Sequence, residues 1–556
     1  MSISVQNGTS CRPDPAPAHA WAAAALIVLS TLAFSLHLQS FLHAKEAIWC
    51  AAIVPLAWYH LRIHRGGLAI VPLTPLLAAA LCGVAGAATA GSPAGLIVTE
   101  VLRMAVLIGA AAILGSLAAG DRAWPVIRGA FVCAASLAAL LGLLQYGGLL
   151  APLLPSFAHY DQAMYSVFGN QDALGSYIVL ALPFLIRAIF ENSAVPAWRT
   201  FIRWILFALL LSALILSGAR SAWLAALGGM GALFWAASPA GRVKLGYAAV
   251  AAGLLAAVII FAVPEVYQKL SGSLESTDAG VRGRLWFWAG AIRMIGDHPI
   301  LGVGPGAYAY WSPLYQGAAA QQGGHYHNEL LTLHPHNDML ELLATCGAAG
   351  VLAGVICVMK LRNRVRRDTE LAAFGVTALM IGLTNPLWAQ SAHLILVMVC
   401  WARLVRAPHV KDPDPAVHGG AILRFGVFAG GAAIAYVFSA IVPGYLLTRA
   451  EQGHLHQAPA ATVESCYNTA VRWAPFPHEA LRSRGIFLWE QGRPLEAVRD
   501  LESALGGLDT GELYWFLGQA RLAAGDRRGA SQSFENCLQR WPWYVPAQKA
   551  FAQLKG

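Results

Sequence analysis

Three clusters in this chain have residue types and spacings that could carry chemistry, and two of them stand beside long apolar runs. The first is His334-Pro335-His336-Asn337-Asp338, directly ahead of the run that opens at Met339. Imidazole titrates near neutrality, so His336 suits a general base. Asn337 and Asp338 are N-cap residue types. They place His336 at the positive end of a helix dipole, which favours the neutral imidazole. The second cluster is Arg282-Gly283-Arg284-Leu285-Trp286-Phe287-Trp288. Arg284 and Trp288, four apart, share a face of an amphipathic helix. Arg282 beside Arg284 makes a cationic group suited to phosphate. The third is Ser217-Gly218-Ala219-Arg220-Ser221, a hairpin so short that the Arg220 guanidinium lies at the membrane boundary. A cation there is costly unless it is used; snorkelling and an orientation signal are the alternatives. Arg103 is a weaker member of the set, with Glu100 as a ready ion-pair partner. His325, His327, His334 and His336 could also be read together as a metal site. No acidic or cysteine partner completes a recurring spacing, and no metal is assigned.

The elements that position these clusters follow from composition. Hydrophobic residues make up 57% of the 556 and charged residues 12%, with a mean hydropathy of +0.54. A soluble domain carries about 25% charged residues, so the chain is a polytopic, all-α membrane protein. Its formal net charge of +9 would suggest nucleic acid in a soluble protein. Here the basic residues sit in short connections and set orientation instead, so no nucleic-acid partner is assigned. Taking roughly twenty apolar residues per crossing gives about thirteen spans. They fall near 19–37, 46–61, 67–89, 98–119, 123–145, 172–190, 204–218, 221–238, 245–263, 340–359, 370–385, 391–405 and 421–444. Connections holding Arg62/Arg65, Arg122/Arg128, Arg199/Arg203, Arg242/Lys244, Lys360 to Arg367, and Arg403/Arg406/Lys411 alternate along the chain. All six therefore fall on one side, the cytoplasmic one. The polar interval 264–339 and everything after the last span then lie outside. Loops of that length are commonly functional. The nine cysteines show no metal-like pairing; Cys50, Cys82, Cys133, Cys357 and Cys400 lie in apolar runs as small core residues. The residues through Cys11 and Pro17 are polar with almost no positive charge, so the first apolar run reads as a retained anchor and not a cleaved signal.

The chain thus divides into a membrane domain, 1–445, and a polar, helix-favouring region, 446–556. Gly485 and Gly518, and likewise Ala497 and Ala530, are 33 residues apart. Leu481, Leu488, Leu501 and Ala504 are matched by Tyr514, Arg521, Phe534 and Cys537, and Pro542 follows. This is the pattern of a tetratricopeptide unit of about 34 residues. With a degenerate first unit at Tyr467, Ala470 and Pro475 it predicts a small α-solenoid, a surface for docking a protein partner.

Taken in order across 165–355, Phe168-Gly169-Asn170, Ser217 to Arg220, Arg284 with Trp288, Asp297-His298-Pro299, Gly302-Val303-Gly304-Pro305-Gly306, and His336-Asn337 with Gly347 and Gly350 resemble the O-antigen ligase and polymerase family. The similarity in span layout covers about 20–405. The downstream glycines match His336 and not His327. Asp172 stands where many members have a second asparagine.

The resemblance implies a multi-pass glycosyltransferase of the bacterial inner membrane, with loop 264–339 and the C-terminal region periplasmic. The donor would be an undecaprenyl-diphosphate-linked glycan. Arg220 and Arg284 would stabilise the diphosphate leaving group, His336 would deprotonate the acceptor hydroxyl, and inversion at the anomeric carbon would follow. Arg282, Trp288, Asn170 and Asn337 are substrate-binding candidates. No DxD-like motif is evident in the outer loops, so arginine in place of a divalent ion is coherent and no cofactor is implied. The resemblance leaves the acceptor open among lipid A–core, a growing glycan and a protein: a ligase-type transferase of uncertain acceptor ranks first, with protein O-oligosaccharyltransferase and polymerase as alternatives. Asn385-Pro386-Leu387-Trp388 and the C-terminal repeats favour the protein-modifying branch, although that branch tends to have Glu where this chain has Asn385. A polyprenyl-linked sugar transporter would need an inverted repeat and polar residues deep in several spans.

Overall fold

The computed structural model describes residues 18–35, 41–59, 74–118, 120–150, 152, 164–190, 195–272, 279–320, 332–361, 368–405 and 415–555. His325, His327, Arg62, Arg65, Arg362 to Arg367, Arg406 and Lys411 lie outside them. Every regular element among the described residues is helical, as hydrocarbon demands, because a helix satisfies its own backbone hydrogen bonds. The membrane domain contains α1 (Ala18–Leu32), α2 (Phe41–Tyr59), α3 (Thr74–Ala90), α4 (Ala94–Ala118), α5 (Trp124–Tyr146), α6 (Gln171–Phe190), α7 (Ala197–Leu216), α8 (Arg220–Ala236) and α9 (Pro239–Ala262). The polar interval follows with α10 (Pro264–Gly272), α11 (Ala279–Asp297) and α12 (Tyr308–Ala320). Then come α13 (Asp338–Leu361), α14 (Thr369–Gly382), α15 (Ser391–Leu404) and α16 (Pro415–Tyr436), the last running through a π-turn at Val437–Ile441 into α17 (Val442–Leu455).

Each of the thirteen expected runs overlaps a helix among the described residues, but length separates them. Seven helices among the described residues are long and apolar enough to cross: Ala94–Ala118, Trp124–Tyr146, Gln171–Phe190, Ala197–Leu216, Gly241–Ala262, Asp338–Lys360 and Gly426–Leu455. Ala18–Leu32, Thr74–Ala90, Thr369–Gly382 and Ser391–Leu404 are apolar but shorter. A helix of about 14 residues rises about 21 Å, less than the roughly 30 Å hydrocarbon core. Sequence periodicity could not see this, because polar residues adjoining each run were counted in or out by composition alone.

Side-chain contacts sort the helix ends into two sets. At one end Arg128 of α5 pairs with Glu370 of α14 at 2.9 Å, and Arg403 of α15 with Asp121 at 2.6 Å. These are ends that carry the cationic connections. At the other, the start of α6, the α7–α8 hairpin, the start of α13 and the α14–α15 turn meet one another. Small residues make the close approaches: a Cβ on Gly175 of α6 would lie 2.5 Å from the Ala219 Cβ, the pattern of helix packing in lipid.

The polar interval is seated on this second end by backbone pairing. α13 is broken at Gly347, whose φ of 63° is a left-handed conformation that costs other residues. A Cβ there would lie 2.2 Å from the Ile300 carbonyl oxygen. The break frees backbone groups for the segment after α11: Val303 N and Gly304 N donate to Ala344 and Thr345 carbonyls at 2.8 and 2.9 Å, while Ala348 N and Ala349 N donate to Pro299 and Ile300 carbonyls, each at 2.9 Å. Gly302, φ 72°, is pressed against the Thr345 backbone. Thus the glycines around 302–306 and 347 are two halves of one joint, which fixes α11 against the start of α13.

Beyond residue 457 the chain forms α18 (Ala460–Trp473), α19 (His478–Glu490), α20 (Pro494–Ala504), α21 (Gly511–Ala523), α22 (Arg527–Arg540) and α23 (Val545–Lys555). Gly485 of α19 faces Leu501 of α20, and 33 residues on Gly518 of α21 faces Phe534 of α22. Ala497 and Ala530 are both fully buried. The two glycine–large-residue pairs are equivalent contacts in successive helical hairpins.

Candidate functional site

His336 occupies the loop just before α13, with φ of 54°. A non-glycine residue holds that conformation only when its surroundings impose it. Asn337 imposes part of it. Its Oδ1 accepts from Met339 N and Leu340 N at 3.0 and 3.1 Å, capping α13, and its Nδ2 donates to the Leu383 carbonyl at 3.0 Å. The imidazole stacks on Phe287 of α11, centroids 5.8 Å apart and planes 22° apart. Its Nδ1 is buried with no hydrogen-bond partner among the described residues. Burial, followed by the nearby Arg284 guanidinium, holds its pKa below the ordinary imidazole value of 6.5, since both disfavour the cation. Adjacent His334 takes a different part: its Nδ1 lies 2.7 Å from Glu341 Oε1. Burial lowers its pKa, but the Glu341 carboxylate outweighs burial and the net shift is upward.

Arg284 reaches the same place from the first turns of α11. Its Nη2 lies 3.1 Å from Asp172 Oδ2 at the start of α6, and 3.5 Å from Asn385 Oδ1 in the α14–α15 turn. Both contacts use Nη2; Nε and Nη1 make no hydrogen bond among the described residues. Asn385 is buried and donates to Ser221 Oγ at 2.7 Å and Ser176 Oγ at 3.4 Å. Ser221 follows Arg220, the half-buried first residue of α8. Trp288, one turn beyond Arg284, has a buried Nε1 without a hydrogen-bond partner among the described residues. Arg282 is half-buried two residues before Arg284.

The structure therefore gathers His336, Asn337, Arg284, Trp288 and the Arg220–Ser221 step around one end of the bundle. Asn170 is spent differently: its Oδ1 caps α6, accepting from Asp172 N at 2.7 Å and Ala173 N at 3.4 Å. Arg103 pairs with Glu100 at 2.8 Å and with Glu46 at 3.3 Å, so its charge is matched within the bundle. Sequence reasoning missed Asp172 and Asn385 as partners of Arg284. An acidic residue and an amide each stand at the boundary of an apolar run, and such residues need a partner; that was the available signal. No group of three or more His, Cys, Asp or Glu placed to hold a metal occurs among the described residues.

A helical bundle with several helices long and apolar enough to cross a bilayer, and with cationic and histidine side chains gathered at one end, defines a class: a multi-pass membrane protein. Residues 205–355 match the family model described as O-antigen ligase, and the chain carries an O-antigen ligase family domain. The match runs from within α7 past Gly347, enclosing Arg220, Arg284, His336 and the glycine joint. Among curated proteins nothing matches the chain.

Proposed function

We infer that the protein transfers a glycan from an undecaprenyl-diphosphate carrier to an acceptor hydroxyl at the periplasmic face of a bacterial inner membrane. The observation that carries this reading is the convergence of His336, its pKa depressed, with Arg284, whose Nη1 and Nε make no hydrogen bond among the described residues. His336 removes the acceptor proton. The acceptor oxygen forms a bond to the anomeric carbon as the bond to the diphosphate oxygen breaks, and the leaving diphosphate takes the electron pair. Arg284, held at Nη2, offers its other donors to that diphosphate, with Arg220 supplying a second guanidinium; fork geometry and permanent charge suit the task. Trp288 lines the approach.

The acceptor in this reading is lipid A–core. A second reading, a protein acceptor, draws on the C-terminal region, whose repeated glycine–large-residue contacts support a tetratricopeptide-type solenoid. That region packs on α12 of the polar interval: a Cβ on Gly317 would lie 2.3 Å from the Gln539 carbonyl oxygen of α22. About thirteen crossings, an odd number, would keep it on the face of the loop it touches.

The test is transfer by purified protein from a polyprenyl-diphosphate glycan, with lipid A–core and a pilin-like protein offered side by side. Glycosylated lipid A–core, formed equally in EDTA, is the expected result. Product on the protein alone would select the second reading. Absence of transfer to either, or loss on chelation restored by zinc or magnesium, would overturn the mechanism.

A further inference from the structure

We propose that Arg103 is a positioning residue, holding the α14–α15 turn as the piece that sets Arg284 and His336 against each other. This inference deepens the transfer reading and rests on it for its kinetic arm only. The turn at 383–390 contacts both halves of the site. Through Asn385 it holds Arg284 Nη2 and reaches Ser221, next to Arg220. Through the Leu383 carbonyl it accepts from Asn337, and its Trp388 N meets Asp338 Oδ1 at 3.5 Å, so it also fixes the two residues after His336. Pro386 fixes one φ of this short connection and internal hydrogen bonds close it, among them Asn385 N to Ile381 O at 2.7 Å and Gln390 N to Leu387 O at 3.2 Å, but these do not anchor the turn against the bundle.

Rigidity comes from behind. Arg103, in the first half of α4, directs Nη2 to the Trp388 carbonyl and Nη1 to the Ala389 carbonyl, both at 3.4 Å. Its own orientation is fixed by a bidentate pair with Glu100, 2.8 Å at Nε and 2.8 Å at Nη2, and by Glu46 of α2. Glu46 is held in turn by the Tyr436 hydroxyl at 2.6 Å. Arg103 and Glu46 are both buried. A buried cation needs its charge matched and its donors satisfied, and only a planar fork can serve two carboxylates and two carbonyls together. The chain uses α2, α4 and α16, none of which carries a residue of the candidate site, to brace the turn.

The test compares Arg103→Lys and Arg103→Met with the wild type in detergent, reading amide hydrogen exchange by segment and then transfer kinetics. Lysine keeps the charge for Glu100 and Glu46 but cannot reach both carbonyls. Expected in Arg103→Lys is faster exchange confined to 383–390 and to 332–340, with α2, α4 and α16 unchanged. Donor KM should stay within about twofold while kcat falls about 10- to 100-fold, the loss that small misplacements of reacting groups produce. Tyr436→Phe, which loosens Glu46 from behind, should give a weaker version of the same pattern. Unchanged exchange at 383–390 in Arg103→Met would overturn the proposal. So would loosening spread evenly over α2, α4 and α16, because Arg103 would then be a bundle-stability residue. Localised loosening in Arg103→Lys, alongside a wild type that transfers nothing, would sink the transferase reading and leave the positioning role standing.

Discussion

At the residue scale, the roles proposed for His336 and Arg284 can be separated by kinetics. If His336 acts on the acceptor, His336→Ala should lower kcat by about 10²- to 10⁴-fold, the range of general-base catalysis, and leave donor affinity nearly unchanged. Arg284→Lys should weaken donor binding and turnover together, because a point ammonium cannot reproduce the fork. The pH dependence follows from the direction of the His336 shift. With its pKa held below 6.5 by burial and Arg284, the imidazole is neutral at neutral pH and stays so to lower pH than a free histidine; transfer should fall only at a pH below 6.5. A folded-state pKa below the unfolded one also means that His336 favours folding above about 6.5 and that this contribution is lost as pH falls through the lower value. His334, shifted upward by Glu341, works oppositely: its contribution is complete below 6.5 and fades as pH rises through the raised value. An acid limb in transfer centred above 6.5 would remove His336 as the base. The histidine, both arginines and the Asn337 cap were legible in sequence, because residue type and helix phase declare them. Asp172 and Asn385 were not, since each is a hundred or more residues from Arg284 and only folding makes them neighbours.

The element that does most for the site is the broken α13. Sequence marked Gly347 as part of a family pattern, but gave no physical reason for it; the reason is the pairing of 299–304 with the opened backbone of 344–349. Apolar runs reveal that a helix exists and say little about where hydrogen bonds leave it, which is why the span near 340–359 was legible and its break was not. Gly347→Ala demands of a residue with a Cβ a conformation (φ 63°, ψ −175°) that is essentially confined to glycine, costing about 1–3 kcal/mol, and sets that Cβ against the Ile300 carbonyl. The segment cannot yield without moving α11. Gly347→Ala should therefore lower the thermal unfolding midpoint and reduce transfer as far as Arg284→Lys does. The control is Gly354→Ala on the same helix, where a Cβ meets nothing within 4 Å and both readouts should stay at wild-type values. Equal behaviour of the two variants would show that the joint does not hold α11.

At the scale of the whole molecule, the C-terminal helices are fastened to the polar interval as well as to the end of α17. The carbonyl end of α22 lies on Gly317, Trp543 lies 6.3 Å from Trp286 of α11, and Phe476 fills the space at Gly95, where a Cβ on α4 would lie 2.5 Å from its ring. Arg540 orders that end of α22 through a buried bidentate pair with Asp509, 2.8 and 2.9 Å, over the Tyr514 ring. These contacts reach α4, α11 and α12, so the region bears on the helix that carries Arg284. The 33-residue step announced helical hairpins in sequence; the seat at Gly95 and Gly317 could not be read there, because a lone glycine on an apolar helix and another on a helix of the polar interval carry no mark of a shared partner. Gly317→Leu would drive a branched side chain into the Gln539 and Arg540 backbone, which cannot rotate aside. If the seat positions α11, Gly317→Leu should free the C-terminal region to protease cleavage near 456–459 and lower kcat severalfold, and Gly95→Leu should act likewise through Phe476. If cleavage increases while transfer is untouched, the region is a passenger on the loop, and its role lies in recruiting a partner and not in holding the site.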